Sequence, residues 1–225
     1  MPSDDREPTR AIAFDRELTT VPKPALGLAH DGEKLWCASG DGLRAVDPAT
    51  GDPRRQLSVV CDAGTAYDGR FLYQLAEKKI LKVDPESGDV VHTIVAPPGG
   101  ASGMAWAEGS LWVGQYRKRR IHRVDPESGE IVATIETKRF VTGISWVDGE
   151  LWHGARDNER SEIDRLDPAS GAVQERLLLP EGVMLSGLAS DGERFFCAGG
   201  EDGKVRVVEG ATDNPPGERK HSGKS

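Results

Sequence analysis

Residues 103–136 read GMAWAEGSLWVGQYRKRRIHRVDPESGEIVATIE. The stretch opens on a glycine, turns at Ala107-Glu-Gly109 and carries the apolar pair Leu111-Trp112. It turns again at Asp125-Pro-Glu-Ser-Gly129 and returns as the β-type run Ile131-Val-Ala-Thr-Ile135. Short alternating or β-branched runs bounded by Gly, Pro and Asp turns read as strands, so this unit is four strands joined by tight turns.

The unit recurs. Its leading glycine has counterparts at Gly27, Gly64, Gly143 and Gly187, at successive spacings of 37, 39, 40 and 44 residues. The apolar pair recurs as Leu35-Trp36, Leu72-Tyr73, Leu151-Trp152 and Phe195-Phe196. The late turn recurs as Asp47-Pro-Ala-Thr-Gly51, Asp84-Pro-Glu-Ser-Gly88 and Asp167-Pro-Ala-Ser-Gly171. In each, Asp accepts a local backbone hydrogen bond, Pro presets φ and Gly supplies a left-handed residue. A period near 40 with four strands per unit predicts an all-β, five-bladed β-propeller with four-stranded blades. The fifth unit lacks its last strand. The orphan run at residues 11–18 is expected to supply it, making an N-terminal strand that closes the last blade and removes a sheet edge. A single propeller over residues 11–210 is expected, with disordered ends at 1–10 and 211–225.

Lys+Arg total 29 and Asp+Glu 37, a net charge of −8, which argues against general nucleic-acid binding. No apolar run is long enough for a transmembrane helix, and residues 1–10 show no signal-peptide pattern. Three cysteines are too few for a disulfide scaffold. A soluble, cytoplasmic, monomeric protein is expected, with a small-molecule or peptide ligand and no nucleic-acid or membrane partner.

With strands A to D counted from the centre outward, the A–B and C–D turns share one face and the B–C and D–A connections the other. The first face is nearly the same in every blade; the second differs in every blade. An asymmetric site needs difference, so the site is expected on the variable face, at the mouth of the channel. Three features stand out. The residue after the apolar pair is Cys37, Gln74, Val113, His153 or Cys197. It reads either as a thiol-bearing pocket, nucleophilic or binding a soft metal together with Cys61, or as small filler in a tight strand. No zinc-ligand spacing is present. Tyr116, Arg117, Lys118, Arg119, Arg120, Lys138, Arg139, Arg156 and Arg160 crowd the variable loops of blades three and four. They read as a rim for a carboxylate or phosphate, or as solvated loops. His30, Tyr67, Trp106, Trp146 and Ser190 end the inner strands, where core packing competes with the wall of a ligand pocket. There is no dinucleotide fingerprint, phosphate-binding loop or nucleophile elbow.

Over residues 11–210 the repeat resembles the propeller superfamily of the glutaminyl cyclotransferases and virginiamycin B lyase. The first-blade run Leu35-Trp36-Cys37-Ala38-Ser39-Gly40 is similar to the cyclotransferase run that carries an acid/base Glu, with Cys37 at the Glu position. Phe71-Leu72-Tyr73-Gln74-Leu75 resembles their second-blade run. The lyase uses a His and a Glu with magnesium, for which His153 and Glu159 or Glu162 are the candidates here. The resemblance implies a cyclotransferase- or lyase-type reaction on an anionic substrate. His153 would be the base, Cys37 or Cys197 a proton donor or nucleophile, and Arg139 and Arg156 the carboxylate clamp. Gln74, Gln115, Tyr116, Trp106 and Trp146 would contact the ligand. The competing expectations are a non-catalytic propeller that grips an acidic partner and a thiophilic metal-binding protein.

Overall fold

The computed structural model describes residues 7–22, 24–157 and 160–209. Two short N-terminal strands, β1 (Thr9–Ala11) and β2 (Arg16–Thr20), precede the repeats. Blade 1 is β3 (Ala25–His30), β4 (Leu35–Ser39), β5 (Gly42–Val46) and β6 (Pro53–Leu57). Blade 2 is β7 (Thr65–Tyr67), β8 (Leu72–Ala76), β9 (Lys79–Val83) and β10 (Val90–Val95). Blade 3 is β11 (Met104–Ala107), β12 (Ser110–Gln115), β13 (Arg120–Val124) and β14 (Ile131–Glu136). Blade 4 is β15 (Phe140–Val147), β16 (Glu150–Asp157), β17 (Arg160–Leu166) and β18 (Val173–Leu178). Blade 5 is β19 (Gly187–Ser190), β20 (Arg194–Ala198) and β21 (Lys204–Glu209), completed by β2. The chain is an all-β, five-bladed propeller, and among the described residues no helix is long and apolar enough to cross a membrane.

Closure of the fifth blade follows the expectation, with shifted bounds. The closing strand is residues 16–20, not 11–18, and pairs antiparallel with β21, Arg16 opposite Val207 and Thr20 opposite Lys204. Residues 9–11 do something else. They pair parallel with β18, Thr9 opposite Arg176, and make blade 4 five-stranded. Arg10 anchors the pair through Glu175 at 3.0 Å. Residues 7–10 are therefore ordered into the fold rather than part of a disordered end. The rest of that expected N-terminal segment, 1–6, and the whole of 211–225 lie outside the described residues. Ile12 and Phe14, which gave the run its strand-like alternation, instead pack against the seam between blades 4 and 5 as the chain crosses it.

The turns obey their chemistry. Asp47 accepts from the N–H groups of Ala49 and Thr50 at 2.7 and 3.0 Å, and Gly51 takes φ +78°. Asp84, Asp125 and Asp167 repeat the arrangement. The core is five apolar clusters, one in each seam between adjacent blades. The second residue of each apolar pair is directed to the seam with the next blade, so Trp36, Trp112 and Trp152 are buried between blades as expected.

Candidate functional site

The inner strands decide where the channel is open. The five leading glycines are buried and touch in sequence around the axis. A Cβ on Gly27 would lie 2.8 Å from the Gly64 Cα, one on Gly64 2.8 Å from the Gly103 Cα, and one on Gly103 2.7 Å from the Gly143 carbonyl carbon. Gly143 meets Gly187 and Gly187 meets Gly27 in the same way, at 3.0 and 3.1 Å. Absence of side chains lets five backbones meet, and the channel narrows to a neck near the variable face. Past the neck it widens into a cavity of about 80 Å³ toward the A–B turns. His30, Tyr67, Trp106, Trp146 and Ser190 ring this opening, each half-buried. The open cavity is thus at the repetitive face, opposite to the face expected from loop variability. Trp106 and Trp146 combine both roles weighed for them: they line the opening and also stack on Tyr73 and Trp112, at 5.6 and 5.4 Å between ring centroids.

The candidate catalytic residues do not converge. Cys37 lies in the seam of blades 5 and 1, Cys61 in that of blades 1 and 2, and Cys197 in that of blades 4 and 5. All three are buried and unpaired, and burial pushes each thiol up to about 12. They behave as small apolar fillers. Among the described residues no three His, Cys, Asp or Glu side chains are arranged to hold a metal ion. His153 is 1% exposed, and its Nδ1–H donates to the Gly154 carbonyl at 3.0 Å. Burial lowers its pKa, against the opposing pull of Asp164. Glu159, the other lyase candidate, lies outside the described residues. Gln74 spends its amide on the scaffold: Oε1 accepts from Thr65 at 2.7 Å, and Nε2 donates to the carbonyls of Ala63 and Leu75. Gln115 is buried and donates to the Pro98 carbonyl at 2.9 Å.

The basic residues do converge. A cleft of about 300 Å³ opens on the variable face between blades 3 and 4. Arg119 reaches it from the B–C turn of blade 3, Lys138 and Arg139 from the D–A connection, Arg156 from the end of β16 and Arg176 from β18. Phe140 lies among them, stacked on Tyr116 at 4.8 Å with the Arg119 guanidinium 4.7 Å from its ring centroid. Five cations and two carboxylates, Glu7 and Asp157, line the cleft. At the rim Arg139 meets the exposed Asp157 at 2.5 Å. Beneath the cleft is a buried acidic support, where Arg176 grips Asp164 at 2.8 and 2.9 Å. Glu162 sits 3.1 and 3.0 Å from Arg139 and Arg176, although its buried Oε2 receives no aligned hydrogen bond. Burial raises the Glu162 pKa, and the two arginines pull it back.

The expected clamp pair, Arg139 and Arg156, therefore lines one cleft, together with two expected rim residues, Arg119 and Lys138. Sequence reasoning missed Arg176, Phe140 and Glu7. An outer strand such as β18 reads as solvated, and Glu7 stood in a segment expected to be disordered. One clue was available: Ser161-Glu-Ile-Asp164 puts two acids on a strand whose alternate positions must be buried.

No protein-family profile matches the chain, and no curated protein matches its sequence. Solved structures do. Myxococcus xanthus glutaminyl cyclase superposes with a TM-score of 0.74 at 18% identity, covering 91% of this chain and 98% of that one. The PQQ-bound aldose sugar dehydrogenase of Streptomyces coelicolor gives 0.52 at 13% identity, over 87% of this chain and 97% of that one. The chain shares the β-propeller fold of the glutaminyl cyclase.

Proposed function

We propose that this chain is a binding propeller that holds an anionic group, the carboxylate of a small molecule or acidic peptide, in the cleft between blades 3 and 4. The observation behind this reading is the convergence of five cations from four separate segments around one cleft, in a protein whose net charge is −8. A volume of about 300 Å³ falls at the small end of ligand pockets, typically about 300–1,000 Å³. Guanidinium groups suit carboxylates because their paired N–H donors match the two oxygens. Arg139 and Arg176 are held by the buried carboxylates of Glu162 and Asp164, so they enter the site already oriented and lose little side-chain freedom on binding. The reading assigns no turnover, since the thiols are sealed in seams and His153 is buried with its ring bonded to the Gly154 carbonyl. A cytoplasmic location belongs to the same proposal, and three unpaired cysteines are compatible with it.

Charge reversal at the rim tests it, since Arg119 and Lys138 line the cleft but leave the Arg176–Asp164 pair untouched. A hexaglutamate peptide titrated calorimetrically should bind the wild type and lose at least tenfold in affinity with Arg119→Glu combined with Lys138→Glu, the melting temperature staying within a few degrees. Unchanged affinity in a folded double variant would end this assignment.

A further inference from the structure

On the opposite face, we propose a second site: the ring of His30, Tyr67, Trp106 and Trp146 at the open mouth of the channel binds a methylated ammonium head group. The cavity there has about 80 Å³, room for a compact head group rather than a drug-sized molecule. Its neck is narrowed by the closely packed glycine backbones on the side away from the A–B turns. Tyr73 stacks on Trp106, Trp112 packs at a 31° tilt against Trp146, and both indoles are half-buried members of the cavity lining. Stacked partners fix the rings in place before any ligand arrives. The electron-rich faces of Trp and Tyr attract cations, most strongly where water is excluded.

The surroundings have the matching charge. The five A–B turns, at 31–34, 68–71, 107–110, 147–150 and 191–194, carry eight carboxylates and three cations. His30 adds no opposing charge: it accepts from the Gly32 N–H through Nδ1 at 3.3 Å, and burial lowers its pKa. Ser190 is the one small member of the ring and leaves a gap through which a head group's tether can leave. Methylation favours the fit because a methylated ammonium is weakly hydrated and has few N–H donors left to satisfy. The head group can belong to a free metabolite or to a methylated lysine of a peptide; the recognition chemistry is the same.

Choline and 3,3-dimethylbutan-1-ol have the same shape and differ in charge, so the pair isolates the cation term. Titrated into the wild-type protein by NMR, choline should bind saturably, its methyl protons shifting upfield under the aromatic ring currents. The neutral alcohol should bind at least tenfold more weakly. Trp106→Leu should weaken choline at least tenfold; should that variant not fold, the wild-type comparison alone decides. A trimethyllysine peptide that outcompetes choline assigns the site to a modified chain, and the reverse order assigns it to a free metabolite. Equal binding of alcohol and choline, or no upfield shift at saturating choline, overturns the proposal. This result is independent of the anion cleft, because the two sites lie on opposite faces and their probes carry opposite charge.

Discussion

Cys37, Cys61 and Cys197 occupy positions where a one-dimensional reading sees reactivity and the packed molecule sees volume. A thiolate is the reactive species, and its formation is opposed by removal from water. Burial pushes each native thiol up to about 12, so thiolate is scarce in the folded protein at pH 8. All three should therefore be inert to a disulfide reagent at pH 8 in the folded protein and react within seconds in denaturant. Fast labelling of any one before unfolding would contradict the sealed seams. The same scale explains a difference between blades. Asp31 accepts from the Trp36 indole N–H at 2.7 Å and Asp68 from the Tyr73 hydroxyl at 3.0 Å. Blades 3 and 4 have Ala107 and Val147 at that position, and among the described residues the buried Nε1 groups of Trp112 and Trp152 have no hydrogen-bond partner.

The Asp-Pro turns that join the outer strands titrate. Asp47 is held down to about 2, first by its bond from Arg54 and then by the N–H groups of Thr50 and Ala49. Asp84 and Asp125 are shifted the same way, first by their turns' N–H donors, and Asp167 first by the Ser170 hydroxyl and then by the Ser170 N–H. A carboxyl with a lower pKa folded than unfolded contributes stability above its unfolded value, near 3.9, and that contribution is lost as pH falls through the folded value. Thermal stability should fall between about pH 4 and pH 2, and Asp47→Asn should be less stable than wild type at pH 7 yet converge with it near pH 2. Parallel curves across the whole range would remove these turns from the account. The turns were legible in sequence because their chemistry is local and repeats. β1 was not: a three-residue parallel strand has no periodicity of its own, and its place is set by the free edge of β18 and by Glu175. Arg176 was missed for a related reason, since only the pairing of Asp164 beside it shows that this outer strand faces a seam.

At the scale of the whole molecule, ring closure and the location of the sites are one problem. The number of blades could be counted from the repeated glycines, but their joint effect could not. A glycine at the start of each inner strand reads as a turn residue until five of them meet around an axis. That meeting narrows the channel toward the variable face and leaves its wider mouth on the repetitive one. It also makes the glycines sensitive to substitution. A Cβ at Gly64 would lie 2.5 Å from the Met104 nitrogen and 2.8 Å from the Gly103 Cα, both backbone atoms with no rotamer to yield. Gly64→Ala should cost more than about 3 kcal/mol, at the severe end for a single substitution, and lower the urea midpoint accordingly. Gly69→Ala is the control for steric space, because a Cβ there meets nothing within 4 Å and only its φ of +96° is strained. Equal losses at the two positions would deny the contact ring.

The anion cleft is the central functional claim, and its location can be read directly. Backbone and arginine side-chain NMR signals of the labelled protein would be followed while hexaglutamate is added. The account predicts saturable shifts at Arg119, Lys138, Arg139, Phe140 and Arg156, with the A–B turns around Asp31 and Asp191 unmoved. Shifts confined to those turns, or none anywhere at saturating peptide, would contradict it.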